Sequence, residues 1–377
     1  MPGIYIHIPF CRKKCFYCDF YTQIPKNQEI INQYFNALFK EIQLRENFLT
    51  KKRIHSIFLG GGTPSFVKTQ LIEKLFNNLA KIYNWSKYVE ITLEANPEDL
   101  TKEYIKNIKN YTPINRISIG VQSFLDKNLK FLGRNHTAKT AITAVENTKK
   151  YFQNISIDLI FGYSEQNIKN LKYDLETFLK LNIPHISTYS LIIEKGSIFY
   201  ILTQKKQKKF ETSEENYVKM YKTLTQILKQ NGYIHYEISN FAKKGFISVH
   251  NWNYWSGGEY LGLGAAAHSY DKNFRYWNIA NYIKYIQLIS KNILPISKEK
   301  LSEIDKFNEY ILTRLRTYKG LNINELKQKF PQFTASLTPK LHYLIENQLI
   351  IKKNNSFLPT LKGYMLNDFI IKTLIIA

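Results

Sequence analysis

The sequence is poor in cysteine, in long apolar runs and in arginine, and each shortage excludes a class of protein. Three cysteines in 377 residues are too few for a disulfide framework. No apolar run is long enough to span a bilayer. The first residues lack a basic segment, and "GIYIHI" is short and strand-like, so we expect no signal peptide. These features together predict a cytoplasmic protein.

The net charge of +23 invites a role with nucleic acid, but the scarcity of arginine argues against it. Arginine supplies 8 of the 53 basic residues, and the lysines are spread along the whole chain. Arginine is the residue best suited to bidentate phosphate binding, whereas scattered lysines are typical of solvated faces. We therefore predict no specific nucleic-acid partner. Nonspecific affinity for RNA or for an anionic surface stays open.

Six short β-branched runs alternate with helix-like stretches in the first half of the chain. They are residues 4–8, 55–60, 89–94, 116–121, 155–160 and 185–190. Such alternation predicts an α/β fold in which a parallel sheet, open or closed into a partial barrel, has helical crossovers. Functional residues of these folds collect where strands end. The polar residues and glycines at those positions are Cys11, residues 60–63, Glu94, Gln122 and Asp158.

The chain divides into three predicted parts. Residues 1–235 hold the strand–helix units. Residues 236–299 form a linking region that is dense in glycine, tryptophan and histidine. Residues 300–377 show apolar residues at helical spacing in "EIDKFNEYILTRLRTYKG" and a hairpin pattern in "LIIKKNNSFLPT". Helices followed by a hairpin predict a small helical, winged-helix-like domain at the C-terminus.

All the cysteines of the chain, Cys11, Cys15 and Cys18, lie within "YIHIPFCRKKCFYCDF". A structural zinc site needs four protein ligands, and His7 could supply the fourth. A cubic iron–sulfur cluster is usually held by four thiolates, so three would leave one iron open to an exchangeable ligand. Three metal-free cysteines are the remaining interpretation, which the tight clustering disfavours.

The spacing C-x3-C-x2-C, with an aromatic residue before the last cysteine, resembles the radical S-adenosylmethionine (SAM) superfamily. The resemblance implies a [4Fe-4S] cluster held by Cys11, Cys15 and Cys18, with SAM as the ligand of the open iron. It also implies an electron donor protein, because one electron from the cluster cleaves SAM to methionine and a 5′-deoxyadenosyl radical. A partial (β/α)6 radical SAM barrel is the fold it implies.

The same resemblance implies further SAM contacts. "GGGTPS" directly follows a strand, and its glycines allow close approach of a ligand. Gly61, Gly62 and Thr63 would bind the SAM amino group. The other implied contacts are Glu94, Gln122, Arg134 (for the SAM carboxylate), Asp158 (as an acceptor), Tyr17 (on the adenine) and Tyr5 (beside the cluster loop). A tight turn, a surface ion pair and ordinary packing of the tyrosines are the alternatives.

Within the superfamily, "YIHIPFC", "GGGTPS", "NRISIGVQSF", "LGRNH" and "YEISNFA" resemble the group that includes oxygen-independent coproporphyrinogen III oxidase and the HemW-like heme chaperones. The oxidase has a fourth cysteine two residues past the third, where this chain has Phe20, and a long segment ahead of the motif, where this chain begins ten residues before Cys11. Both differences favour the chaperone.

The segment "HNWNYW", residues 250–255, matches the H-N-x-x-Y-W motif associated with heme binding in HemW-like proteins. The resemblance implies that His250 ligates heme iron, since neutral imidazole is a common axial ligand, with Tyr254 and Trp255 as walls. An ordinary hydrogen-bonding role for His250 is the alternative, and His268 and His136 are further candidates.

A heme chaperone would pass heme to an acceptor hemoprotein, for example a respiratory one at the membrane surface. We assign no catalytic residue on this interpretation, and whether the chain is an enzyme stays open. The first alternative is a radical SAM oxidase that decarboxylates coproporphyrinogen III. The second is an RNA-modifying radical SAM enzyme, which the basic charge encourages but the arginine-poor tail does not.

Overall fold

A computed structural model describes residues 2–206 and 209–376 of the chain. Its centre is a set of parallel strands: β1 (Gly3–Ile8), β2 (Ser56–Gly61), β3 (Glu90–Ala95), β4 (Arg116–Gln122), β5 (Asn154–Phe161) and β6 (His185–Ser190). The helices that connect them are α1 (Gln28–Leu44), α2 (Thr69–Ala80), α3 (Lys102–Tyr111), α4 (Asp126–Leu132), α5 (Ala138–Lys149) and α6 (Ile168–Leu181). The predicted α/β fold is confirmed, and each predicted strand is found to within one residue at either end.

Strands β1 to β6 lie side by side in chain order, and each pairs with the next in parallel. β-branched residues suit these strands because their stiff side chains pack well on a pleated surface. Helices cover the strands, so the isoleucines of β1 are fully buried, as parallel sheets require. Asn27 and Thr101 cap α1 and α3 by accepting a backbone N–H in the first turn. These caps help to end the loops that carry the site residues.

The sheet continues beyond both edges of this parallel centre. The added strands are β7 (Ile234–His235), β8 (Asn240–Ala242), β9 (Tyr260–Leu263), β10 (His268–Tyr270), β11 (Phe274–Asn278) and β12 (Ile296–Lys300), and the nearby helices are α7 (Ile198–Lys206), α8 (Glu214–Gln230), α9 (Val249–Trp255) and α10 (Tyr282–Ser290). β9 pairs with β1 in parallel, and β10 to β12 follow it antiparallel. At the other edge β8 and β7 extend β6 antiparallel. The predicted linking region thus contributes β8 to β12 to the main sheet, and the three-part division of the chain stays a prediction.

The C-terminal part has a small sheet and an apolar core of its own. Its elements are α11 (Glu303–Leu315), β13 (Leu321–Asn322), α12 (Ile323–Lys329), α13 (Pro331–Glu346), β14 (Ile350–Lys353), β15 (Ser356–Pro359), α14 (Leu361–Met365) and α15 (Asn367–Leu374). β14 and β15 form the predicted hairpin, with Lys353 paired to Ser356 and Asn354 at a positive φ of 53° in the turn. Across the described ranges, no helix has both the length and the apolar character needed to cross a membrane.

Candidate functional site

The cysteine-bearing loop between β1 and α1, residues 9–27, is held in place by backbone hydrogen bonds. The start of the loop is hydrogen-bonded to its later part. Cys11 N donates to Gln23 O at 3.0 Å, and Gln23 N donates to Pro9 O at 2.6 Å. Its middle is tied to α4, where Phe16 N donates to Leu132 O at 3.1 Å. These hydrogen bonds fix the backbone of the loop and thereby the positions of its side chains.

Cys11, Cys15 and Cys18 are free, half-buried thiols that line one cavity of about 390 Å³ at the carboxyl ends of the parallel strands. Burial raises the pKa of Cys11 to about 12 and that of Cys18 to about 11. A thiolate at such a position needs a cation, which the iron of a bound cluster would supply. Three thiols that line one cavity with room beside them match the ligand number of a cluster that has one open iron.

The glycine-rich segment after β2 packs directly against the start of the cysteine loop. A Cβ atom on Gly61, whose φ is +105°, would lie 2.4 Å from the His7 ring. A Cβ atom on Gly62 would lie 2.7 Å from the backbone carbon of Pro9. Thr63 N donates to Phe10 O at 2.9 Å. Gly61 is therefore needed beside the His7 ring and Gly62 beside the Pro9 backbone. Residues 61–63 all line the cavity.

The carboxylates that the sequence points to lie on β3 and β5, on either side of β4, and line the same cavity. Glu94 accepts a hydrogen bond from Gly61 N at 3.2 Å. Burial and the charge of Asp158 raise the pKa of Glu94 to about 8. Asp158 accepts from Ser118 Oγ at 3.4 Å, and burial raises its pKa too. Both groups can accept hydrogen bonds from a ribose hydroxyl or an ammonium group.

Arg134 connects the cysteine loop to the ends of β3 and β4. Its Nη2 donates to Asn96 Oδ1 at 2.6 Å and to Gly120 O at 2.7 Å. Its Nη1 lies 3.3 Å from Cys15 Sγ and 3.5 Å from the Tyr17 hydroxyl. Among the described residues its buried Nε has no hydrogen-bond partner, which leaves a donor for a ligand. Its contact with the SAM carboxylate stays a prediction.

Gln122 ends β4 with a positive φ of 66°, beside an irregularity in the pairing with β5. Its buried Oε1 has no partner within the described part of the chain. A non-glycine residue in this strained conformation, with an unpaired acceptor on the cavity wall, is typical of a ligand contact.

Sequence reasoning missed Asn96 as a site residue. Its Nδ2 donates to Thr63 Oγ1 at 3.1 Å while its Oδ1 accepts from Arg134, so it joins the glycine-rich segment to the arginine. Its position two residues after Glu94, beyond the end of β3, was the available signal. Ser118, Gly120 and Tyr189 also line the cavity and were not singled out.

Tyr17 lines the 390 Å³ cavity, whereas Tyr5 does not. Tyr5 faces a second, larger cavity of about 920 Å³ that lies between the sheet and the C-terminal helices. The Tyr5 hydroxyl is hydrogen-bonded to His7 Nδ1 at 3.1 Å. The structure therefore separates Tyr5 from the other predicted SAM contacts, and its role stays a prediction.

The large cavity is lined by aromatic rings and by cations. The aromatic residues are Tyr5, Phe20, Tyr21, Tyr254, Trp255, Tyr260, Tyr270, Tyr310 and Phe330. The cationic residues are Lys272, Arg275, Lys306, Arg314 and Lys329, against two acidic residues, Asp19 and Glu309. Asp19 and Phe20 line both cavities, so the cysteine loop forms a shared wall.

His250 lies in α9 and is 1% exposed. Its Nδ1 is 2.9 Å from Ser56 Oγ and its Nε2 is 2.9 Å from the Tyr254 hydroxyl. Its ring stacks on Phe58 at 5.1 Å. Burial lowers its pKa to about 3. Both ring nitrogens are thus engaged within the protein, while Tyr254 and Trp255 face the cavity.

His136, another candidate, lies away from the large cavity. Its Nε2 is 3.0 Å from Val121 O and its Nδ1 is 3.4 Å from Glu98 Oε2. His268, by contrast, lines the large cavity and is exposed. The three candidate histidines therefore occupy three distinct environments.

Comparison with known proteins supplies the family. The Radical SAM superfamily model matches residues 5–178, and the HemN C-terminal domain model matches residues 301–366. The heme chaperone HemW of Lactococcus lactis is 36% identical over 366 residues, which cover 97% of this chain and 94% of the relative. This chain belongs to the HemW family. The Bacillus subtilis HemW is 34% identical, over 98% of this chain and 97% of its own length.

The fold of this HemW-family chain is also that of coproporphyrinogen III oxidase (HemN) from Escherichia coli. The two superpose with a TM-score of 0.86 at 21% identity, over 99% of this chain and 90% of the oxidase. At this identity the likeness concerns the fold alone. As a member of the radical SAM superfamily, the HemW-family chain is expected to carry a [4Fe-4S] cluster and SAM, and the 390 Å³ cavity has groups that fit both.

Proposed function

We propose that this chain is a heme chaperone, which binds heme and transfers it to an acceptor hemoprotein. The observation that carries the proposal is its similarity to HemW heme chaperones over nearly the full length of both chains. The proposal includes a [4Fe-4S] cluster on Cys11, Cys15 and Cys18, with SAM at the open iron. Heme and an acceptor hemoprotein are the proposed partners, together with an electron donor protein.

The large cavity supports heme binding through its size and its lining. Cofactor pockets have volumes of roughly 300 to 1,000 Å³ and mainly apolar or aromatic walls, and this one has about 920 Å³. Aromatic rings can pack against the flat macrocycle. The excess of cations over acids at its rim suits the two propionates of heme. The chemistry of the cavity therefore matches an amphipathic, dianionic, planar ligand.

The small cavity supports the cluster and SAM through donors and acceptors that have no other use. The cluster, when bound, would supply the electron that cleaves SAM. Arg134 Nε and Gln122 Oε1 are buried without partners among the described residues. Glu94 and Asp158 add acceptors to the lining of the same cavity. These residues would hold and orient SAM, but their individual roles stay proposals.

The proposed location is the cytoplasm, whose reducing conditions keep ligand thiols free. An acceptor at the membrane surface, such as a respiratory hemoprotein, is compatible with this location. The basic character of the chain, at +23, would favour an approach to an anionic surface.

A second candidate is the oxidative decarboxylation of coproporphyrinogen III. The observation that favours it is the common fold with the Escherichia coli oxidase, together with the wall that the two cavities share at Asp19 and Phe20. A tetrapyrrole in the large cavity would then lie next to the SAM cavity. Against it, Phe20 replaces the fourth cysteine that the resemblance implies for the oxidase.

One experiment decides between the two. Cluster-reconstituted protein is titrated anaerobically with hemin and followed by absorbance, and a parallel sample receives coproporphyrinogen III, SAM and a low-potential reductant. The chaperone proposal predicts saturable heme binding and no vinyl product. Repeated turnover of coproporphyrinogen III, without tight heme binding, would replace it with the oxidase.

A further inference from the structure

His250 and His268, two of the histidines that the sequence offers as heme ligands, differ in whether they can take a new ligand. His250 is 1% exposed, is absent from the cavity lining and has both ring nitrogens hydrogen-bonded. To ligate iron it would have to give up Ser56 or Tyr254 and reach past the Tyr254 ring. Its surroundings are those of a structural residue that positions a wall.

His268 begins β10 and presents an exposed imidazole to the cavity. Within the described ranges no hydrogen bond engages its ring. Its one ring contact is with Trp277, its cross-strand partner on β11, at 6.4 Å between centroids. An imidazole that is anchored on a strand, accessible and unbonded is ready to accept a metal ion.

His7 also lines the cavity but is excluded by its own bonds. It is 5% exposed, its Nδ1 is 3.1 Å from the Tyr5 hydroxyl, and its Nε2 is 2.9 Å from Tyr21 O. Among the described residues that line the cavity, His268 is therefore the histidine whose ring is free.

We propose that His268 is the axial ligand of heme iron in the large cavity, and that His250 serves to hold Tyr254 in its wall. This inference rests on the proposed heme-binding function and names its site. Cations that line the same cavity as His268 would meet the propionates. Arg275 lies on the adjacent strand and pairs with Glu309 at 2.6 Å, and Arg314 donates to Trp255 O at 2.9 Å. Lys329 stands over the Tyr310 ring at 4.9 Å.

The test exchanges the ligand rather than only deleting it. Anaerobic hemin titrations compare the wild-type chain with His268→Ala, His268→Cys, His250→Gln and, as an exposed control on α13, His342→Ala. Because axial-ligand identity sets the heme spectrum, His268→Cys should convert a histidine-type Soret band into a thiolate-type one. His268→Ala should bind at least tenfold more weakly and recover a histidine-type spectrum with added imidazole.

The controls separate the site from the function. His342→Ala should keep the wild-type spectrum and stay within about threefold of the wild-type Kd, a difference of less than 1 kcal/mol. His250→Gln should weaken binding by releasing Tyr254 but should keep the histidine-type Soret band. If the His268 variants keep the wild-type spectrum and affinity, the assigned ligand is wrong while heme binding stands. If the wild-type chain itself shows no saturable binding, the proposed function and this site are both wrong.

Discussion

The Nε2 atom of His250 lies 2.9 Å from the hydroxyl of Tyr254, and its Nδ1 atom lies 2.9 Å from Ser56 Oγ. A neutral imidazole donates from one nitrogen and accepts at the other, so one hydroxyl accepts and the other donates. The pair joins the "HNWNYW" segment to strand β2 across 194 residues of sequence. The motif is thereby part of the fold as well as a candidate for heme chemistry.

The buried, neutral state of His250 gives a pH prediction. Its folded-state pKa is about 3 against about 6.5 in the unfolded chain. The unfolded state therefore binds the extra proton, and stability falls as pH decreases from 6.5 towards 3. His250 should account for about 2 kcal/mol of the loss in unfolding free energy between pH 7 and pH 5. Denaturant titrations at several pH values measure it.

His250→Gln should show a shallower pH dependence than the wild-type chain over that interval. His342→Gln, on the exposed face of α13, is the matched control and should keep the wild-type slope. Equal slopes for all three proteins would mean that His250 is not held neutral in the folded state.

Replacing any one of Cys11, Cys15 and Cys18 with serine should abolish iron–sulfur absorbance and reduce bound iron. The chain holds no other cysteine, so no spare thiolate can replace a lost ligand. Iron analysis and absorbance after anaerobic reconstitution measure the effect. A serine variant with a normal cubane spectrum would remove that cysteine from the ligand set.

Gly61→Ala should destabilise the chain by roughly 2 to 4 kcal/mol, the sum of a positive φ and of overpacking, and should lower cluster content. The added Cβ atom would lie 2.4 Å from His7, at the base of the cysteine loop. Gly245→Ala is the matched control, since Gly245 has a φ of +88° with no atom within 4 Å of the added carbon.

The control should lose only about 1 kcal/mol, from backbone strain, and should keep its cluster. Thermal or denaturant unfolding, read beside iron content, separates the two effects. If both variants lose the same stability and retain the same iron, the close packing of Gly61 against His7 has no role in forming the site.

Glu90 should be a strong determinant of the position of α9. Its carboxylate accepts from Val249 N and His250 N, each at 2.9 Å, and from Ser248 Oγ at 3.1 Å. Arg116 Nε lies 3.9 Å away and is itself buried. Glu90→Ala should cost about 3 to 5 kcal/mol, because it leaves these donors and a buried cation without their acceptor.

Glu90→Gln should cost less, since an amide oxygen still accepts one or two of these bonds. Denaturant unfolding gives both values, and hydrogen exchange of the Val249 and His250 amides reports the helix end directly. Unchanged stability and exchange in Glu90→Ala would show that α9 is held by its packing alone.

Local pattern was sufficient for the parallel centre and for the small cavity. β-branched runs specify strands such as β1 and β5. The rule that functional residues follow strand ends pointed to Cys11, Glu94 and Asp158, which line one cavity. These inferences work because they depend on neighbours in sequence and on a common topology. The cysteine spacing carried the resemblance that implies the cluster, since spacing within one loop is a local property.

Long-range packing explains what the sequence did not reveal. β9 to β12 are short, β9 to β11 are rich in aromatic residues and β12 is mostly charged, so they lack the alternation that marks a strand. The burial of His250 depends on Ser56 and Phe58, which are nearly two hundred residues away in the chain. The large cavity is lined by residues of β1, β10 and the C-terminal helices. No single stretch of sequence therefore predicts its shape.

The central claim is that the chain hands heme to another protein, and a transfer rate tests it most directly. Heme-loaded chain is mixed with the apo form of a respiratory hemoprotein, and the rate is compared with heme loss to excess apomyoglobin, which captures only dissociated heme. A chaperone predicts a rate that rises with acceptor concentration and exceeds the dissociation rate. A rate equal to dissociation at every acceptor concentration would contradict the claim.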